Sequence, residues 1–281
     1  MKIAGIVVLY NPDENIIDNV KSYLDNIEVL YVVDNSTEKR VGIINTIKSL
    51  NKIVYIDNNG NKGIANALNV GANLAIRAGY EWLLTMDQDS RFISGDSVDR
   101  MYRAALIYNR VAIISPVHIS KVINFHDDKS EFSIVSTTLT SGNLLNLKAF
   151  QEIGGFRDDY FIDYVDHEFC LRARLFGFII VRCNSVILEH NLGDIKKHRL
   201  GSTTNHSPIR RYYITRNRLY TMYLYRHFDP SFFWGEMFAI FAETIKIILY
   251  EGQKFEKLLM IYRGYRDFKK GIGGEYGSRN K

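Results

Sequence analysis

Asp87 and Asp89 stand one residue apart in Trp82-Leu-Leu-Thr-Met-Asp-Gln-Asp-Ser90, at the end of an apolar run of strand type. Side chains two apart in an extended or turning backbone can point the same way, so two carboxylates can converge on one hard cation. A divalent ion held there would neutralise a diphosphate, the electrostatic part of moving a group off a nucleotide. The alternative is an acidic turn after a strand, since Asp is a preferred turn residue. Asp-x-Asp alone does not decide between them; the elements around it must.

Those elements alternate. Ile3–Leu9 is a continuous apolar, β-branched run of the kind found in a central parallel strand, ended by Tyr10-Asn11-Pro12. A polar-faced helix over 13–26 leads to a strand over 29–33, closed by Asp34-Asn35-Ser36. A helix over 41–50, a strand over 53–56, a helix over 64–78 and the strand ending at Asp87 follow. Four strand–helix alternations with short links predict a doubly wound, mostly parallel α/β sheet. Such sheets bind ligands beyond the carboxyl ends of their strands. Here those ends carry Tyr10-Asn11, Asp34-Asn35, 58–63 and Asp87-Gln-Asp89. Asn61-Lys-Gly63 opens a helix whose free N–H groups suit an anion, and it is neither a Walker loop nor a G-x-G-x-x-G fingerprint. Read as a turn, it is a plain Asn/Gly link.

Further on, a helix over 98–108 precedes a fifth strand over 111–115, and 118–139 reads as β structure around a His126-Asp-Asp-Lys turn. Thr140-Ser-Gly-Asn143 introduces a strand over 144–147 and a short helix ending at Gly154-Gly155. From Asp166 a helix begins with Asp166 and Glu168 in its first turn, where the dipole favours acids. A strand over 186–190 ends in His190, and a lone strand-end histidine is more often structural than a ligand.

Composition sets the limits. The chain has 281 residues, 46% hydrophobic and 24% charged, so one large α/β domain or a domain with an appendage fits. Cys170 and Cys183 give neither a disulfide framework nor metal-type spacing and point to a reduced, cytoplasmic setting. The apolar start is too short for a signal peptide, and no run of about 18 uncharged apolar residues occurs. The net charge of +5 conceals an asymmetry: from Ile195 onward 17 Lys and Arg face 7 Asp and Glu. A basic final third can meet nucleic acid, an anionic membrane or phosphorylated substrates, but no nucleic-acid recognition motif accompanies it.

Several short segments follow one another in order: Val7-Val-Leu-Tyr-Asn-Pro12, Val33-Asp-Asn-Ser36, Asn61-Lys-Gly63 with Asn69, Asp87-Gln-Asp89, and Ser141-Gly142-Asn143. Ile153-Gly-Gly-Phe156, Phe161-Ile-Asp-Tyr-Val-Asp-His-Glu168 with Arg172, Glu189-His190, Tyr213-x-x-Arg216-Asn217 and Arg266-Asp267 with Gly271 and Gly274 complete the series. Together they resemble glycosyltransferase family 2, in its bacterial rhamnosyltransferase-like branch, over nearly the whole chain. The resemblance implies a GT-A fold with a helical C-terminal extension: a catalytic domain over 1–205, divided near 116 into donor and acceptor halves, and an extension over 206–281. It implies inverting transfer from a nucleoside diphosphate sugar, dTDP-L-rhamnose foremost, to a hydroxyl of a cell-surface glycan or its lipid-linked precursor. Carried over by position, Asp34 meets the pyrimidine, and Asn61 and Asn69 line the nucleotide pocket. Asp87 and Asp89 hold the ribose and a Mn²⁺ or Mg²⁺ ion, with His190 as the further metal ligand. Asp166 aligns with the catalytic base; many members carry Glu-Asp-x-Asp there, which leaves Glu168 as the competing candidate. Ser141, Gly142, Asn143, Glu168, Arg172, Arg216 and Asn217 fall on the acceptor side.

The final third also holds 209–227, a helix of arginines interleaved with tyrosines, whose stems are expected to pack against the main domain. The helix over 232–250 is very apolar yet includes Glu236, Glu243 and Lys246, an amphipathic rather than a spanning pattern. Through 231–270 the chain is expected to meet either the inner membrane face or a second copy. Two rival functions are weaker. A sugar-nucleotide-binding protein without activity would not need Asp87, Asp89, Asp166 and His190 together, and a nucleotidyltransferase would carry a glycine-rich basic loop where Leu9-Tyr-Asn-Pro12 stands.

Overall fold

The computed structural model describes residues 2–119, 130–190, 196–198, 201–203 and 205–277, so the turn expected at His126 lies outside the described residues. The chain divides into two compact units, Met1–Arg157 with Phe169–Asn191, and Asp158–Glu168 with Leu192–Lys281.

The first unit is the alternating α/β body. Its strands β1 (Ile3–Leu9), β2 (Val29–Asp34), β3 (Ile53–Asp57) and β4 (Trp82–Asp87) are joined by α1 (Asn15–Leu24), α2 (Val41–Ser49) and α3 (Ile64–Arg77). Then come β5 (Ser90–Phe92), α4 (Ser97–Ile107), β6 (Val111–Ile119), β7 (Phe132–Val135), β8 (Asn143–Asn146), α5 (Leu147–Ile153), α6 (Val165–Leu175) and β9 (Ile179–His190). The main sheet runs β3-β2-β1-β4-β8-β6-β9-β5, with β7 on β9. All seven residues of β1 are buried, which is why its sequence is apolar without alternation.

The sheet is parallel from β3 to β4, as expected, and mixed beyond. The strand β8 runs antiparallel to both β4 and β6. No described helix separates β6 from β8, and a parallel pair would need such a crossover. Register brings the carboxyl ends abreast: Leu9 pairs with Asp34, Asp34 with Asp57, and Val8 with Asp87. One hydrophobic cluster, including Val7, Leu9, Val32, Leu84, Met86 and Leu188, fills the space beneath that edge.

The second unit is helical: the single turn Asp158–Tyr160, the start of α6, a small ribbon β10 (Lys196–His198) and β11 (Gly201–Thr203), then α7 (Pro208–Tyr225), α8 (Pro230–Tyr250) and α9 (Lys254–Lys269). Ser207 caps α7 ahead of Pro208, and Asp229 caps α8 ahead of Pro230. Helices α7 and α9 cross closely at Gly264, where a Cβ would come within 2.7 Å of the Tyr212 carbonyl. Within this unit the arginines of α7 are held by charge. Arg211 binds Glu251 at 2.7 Å and Arg218 binds Glu243 at 2.7 Å; Lys257, 1% exposed, reaches Glu251 at 2.8 Å. Buried charges persist only when paired in this way. Among the described residues, no helix is long and apolar enough to cross a membrane.

Candidate active site

Asp34 closes β2 and is fully buried, an expensive place for a carboxylate unless donors surround it. The Ser36 amide donates at 2.8 Å, the Tyr55 hydroxyl at 2.6 Å, and Lys39 approaches to 3.1 Å. Burial pushes its pKa up, but the bonds from Ser36, Tyr55 and Lys39 outweigh burial and hold the carboxyl below its ordinary value. Asp34 is therefore a fixed, ionised acceptor at the sheet edge. An amide chain ties the neighbouring strand ends together: Asn58 donates to Asn35 at 2.7 Å, and Asn35 donates to the Gly63 carbonyl at 3.0 Å. Asn61 accepts from the Gly63 amide at 3.0 Å, shaping the turn into α3, with Gly63 at φ 87° where only glycine is unstrained.

The Asp-x-Asp turn is held by its middle residue. Gln88 accepts from the Tyr10 amide at 2.8 Å and donates to the Tyr10 carbonyl at 3.1 Å, while its own carbonyl takes the Asn19 amide at 2.8 Å. This pins the turn to the end of β1 and leaves Asp87 and Asp89 half-buried on either side of it. The charge of Asp87 reaches Tyr23, whose phenol is raised first by burial and then by that carboxylate. The Asp87 amide donates to the Ser141 hydroxyl at 3.0 Å, and the Gly142 amide to the Thr85 carbonyl at 2.7 Å. Ser141, Gly142 and Asn143 thus brace β4 from the antiparallel side. The Gly142 backbone has φ 79°, and a Cβ would lie 2.8 Å from Pro116.

The β5–β9 register sets His190 opposite Ser90, the residue after Asp89. Among the described residues, no group of three His, Cys, Asp or Glu side chains forms a metal-sized cluster. The donor set nevertheless suits a hard cation. Carboxylate oxygens are the protein donors Mg²⁺ takes in nucleotide sites, where waters and phosphate oxygens complete its shell.

Two expected site residues hold a different turn. Asn69 donates to the Phe156 carbonyl at 2.8 Å and accepts from its amide at 2.9 Å. Arg172 donates to the Gly155 carbonyl at 2.6 Å and to Ile153 at 3.2 Å. Both residues fix the Gly154-Gly155-Phe156 corner after α5.

Asp166 opens α6 with its side chain 19% exposed. It accepts from the His167 amide at 2.8 Å and from His167 Nδ1 at 2.9 Å. Burial raises the Asp166 pKa, but the charge and hydrogen bonds of His167 prevail and hold it below the ordinary value. Burial lowers His167, and Asp166 more than offsets this, raising it above 6.5. The pair's stabilisation is therefore present above the ordinary carboxylate value and fades as pH falls through the lowered one. It also fades as pH rises through the raised histidine value. We expect His167→Gln to move the acidic limb of the kcat/KM profile to higher pH. An unmoved limb would show that another group sets it. Glu168, the competing base, is 1% exposed and accepts from the Tyr225 hydroxyl at 2.8 Å.

The loop before α6 is strained and clamped. Phe161, Asp163 and Tyr164 all have φ near +64°, a region that side chains other than glycine enter at a cost of about 1–3 kcal/mol each. Arg216, fully buried, donates to the carbonyls of Asp159, Tyr160 and Gly274. Asn217, also fully buried, donates to those of Tyr160, Ile162 and Asp163 at 2.7–3.0 Å. Both were expected on the acceptor side; their side chains are instead engaged with the backbone of the segment that delivers Asp166. Sequence reasoning missed this clamp, along with Gln88, Lys39 and His167. Only His167 carried a signal, its adjacency to Asp166.

A central mixed sheet flanked by helices is the architecture this chain shares with glycosyltransferases of GT-A fold. The chain belongs to one family of these: residues 6–175 match Glycosyl transferase family 2. It is 27% identical over 238 residues to the dTDP-rhamnosyl transferase RfbF of Shigella flexneri, covering 76% of this chain and 78% of that protein. It is 29% identical over 92 residues to poly-β-1,6-N-acetyl-D-glucosamine synthase of Staphylococcus aureus strain COL, which covers 31% of this chain and 22% of the synthase. Among solved structures, S. aureus TarS 1-349 in complex with UDP-GlcNAc superposes with TM-score 0.61 at 16% identity, covering 97% of this chain and 82% of that one. GalNAc-T7 with UDP, GalNAc and Mn²⁺ gives 0.63 at 12% identity, covering 97% of this chain and 56% of its own.

Proposed function

We propose that this glycosyltransferase moves L-rhamnose from dTDP-L-rhamnose, with inversion and with the help of a divalent cation, onto a hydroxyl of a cell-surface glycan or its lipid-linked precursor. The observation that carries the reading is the Gln88-pinned turn bearing Asp87 and Asp89 at the same carboxyl edge of the sheet as Asp34, whose pKa its donors hold down. The likeness to a dTDP-rhamnosyl transferase over 76% of the chain supports the choice of donor.

In this reading Asp34 accepts a hydrogen bond from the pyrimidine N–H, and Asn61 shapes the loop that meets the nucleotide. Asp87 contacts the ribose; Asp87, Asp89 and His190 would hold the cation. When bound, that cation stabilises negative charge on the leaving diphosphate. Asp166, kept ionised by His167, takes the proton from the acceptor hydroxyl as that oxygen attacks the anomeric carbon. One displacement inverts the centre, so a β-linked donor gives an α-linked product. Glu168 serves Tyr225 in the helix packing, which favours Asp166 as the base.

A thermal-shift panel of nucleotide sugars with Mn²⁺ or Mg²⁺ tests the donor. A ligand at a hundred times its dissociation constant stabilises by about 2.7 kcal/mol, so dTDP-L-rhamnose is expected to give the largest shift. A larger shift with a UDP-hexose would reassign the donor within the same fold.

A further inference from the structure

Helix α8 has a single fully buried residue, Ile247, in 21. Trp234, Phe238, Phe241, Ile245, Ile248 and Leu249 are 47–76% exposed. Their spacing places them on one stripe about 100° wide. At 150–250 Å² for each aromatic side chain, the exposed apolar area of α8 comes to several hundred Å², at the upper end of what a monomer normally shows to water. Along α9, Phe255, Leu259 and Tyr262 continue with the same 4,3 spacing into Arg266 and Lys269, with Lys270 at the helix end, and all six are exposed. An apolar stripe on one helix thus adjoins, in sequence, a stripe that runs from apolar to cationic.

We propose that the exposed faces of α8 and α9 dock on an anionic lipid bilayer, with the α8 stripe in the acyl boundary and Arg266, Lys269 and Lys270 at the headgroups. The alternative occupant is a second copy packed helix to helix. A zipper seam of that spacing takes β-branched or Leu side chains at its core and charges on its flanks to set register. Here the seam carries Trp and Phe, and its flanking positions are Gly235, Met237, Ala242 and Thr244, none of them charged. A fluid apolar phase needs no register, and the acids of α8, Glu236 and Glu243, are engaged with Arg218. Arg266 is paired with Asp267, and the excess of cations left at the end of α9, Lys269 and Lys270, complements phosphate headgroups and would repel its own copy in a symmetric pair. The proposal rests on these two helices and is independent of the donor assignment.

Co-sedimentation of the full chain with phosphatidylcholine vesicles, with and without phosphatidylglycerol, tests it. Binding is expected to require the anionic lipid and to weaken with salt. Phe238→Ser with Phe241→Ser should reduce it about a hundredfold or more. Lys269→Ala with Lys270→Ala should reduce it roughly thirtyfold. Because all four side chains are exposed, melting temperature and turnover on a soluble acceptor should be unchanged. No binding to anionic vesicles would overturn the proposal. So would binding that survives Phe238→Ser with Phe241→Ser, or a wild-type dimer in light scattering that this double variant makes monomeric.

Discussion

Asp166→Asn is expected to lower kcat by about 10²–10⁴-fold, the usual contribution of a positioned general base, with donor affinity unchanged. The substitution keeps the shape and removes the charge. Asp166 is the more accessible acid of its helix turn, with its side chain 19% exposed, and the charge and hydrogen bonds of His167 hold its pKa down against burial. Glu168 has neither the exposure nor a vacant approach, since Tyr225 donates to it within the helix packing. Glu168→Gln should therefore cost stability more than turnover. Steady-state kinetics on both variants separates the two acids; near-wild-type turnover in Asp166→Asn would remove it from the chemistry.

Asn217→Leu should unfold the approach to that base. The Ile162 and Asp163 carbonyls lose their donor while Tyr160 keeps Arg216, and each buried unsatisfied group costs about 1–3 kcal/mol. Those carbonyls belong to a loop with three non-glycine residues at positive φ, which relaxes when released. A loss of about 3–5 kcal/mol in denaturant unfolding is expected, with kcat falling and the KM for donor little changed. If stability and kcat both stay at wild-type values, the clamp is not what shapes the loop. Arg216→Lys offers a control, because a lysine keeps the charge and loses the planar fork that reaches three carbonyls.

The sheet was legible because β1 to β4 are apolar runs closed by polar turns, and their helices begin and end close to where the turns predict. The tiny strand β5 was not, since three residues carry no periodicity. Nor was the antiparallel entry of β8, which depends on a connection rather than a pattern. Asp34, Asp87 and Asp166 stand out in the sequence because each is an acid at an element terminus. Asn69, Arg172, Arg216 and Asn217 were read as site residues because they lie in recognisable motifs, yet a motif does not say whether a side chain faces ligand or backbone. In these four the amide or guanidinium binds main-chain carbonyls or amides. The buried ionic core of Arg211, Arg218, Lys257 and three glutamates was hidden because charged residues in helices read as solvated faces.

The division of labour between the two sets of acids is open to one direct measurement: calorimetric titration of dTDP, with and without Mn²⁺, into wild type, Asp89→Ala and Asp166→Asn. The expected result is tight binding that needs the metal in wild type and Asp166→Asn, and loss of the metal-dependent part in Asp89→Ala. Unchanged metal-dependent binding in Asp89→Ala, or its loss in Asp166→Asn alone, would contradict the account.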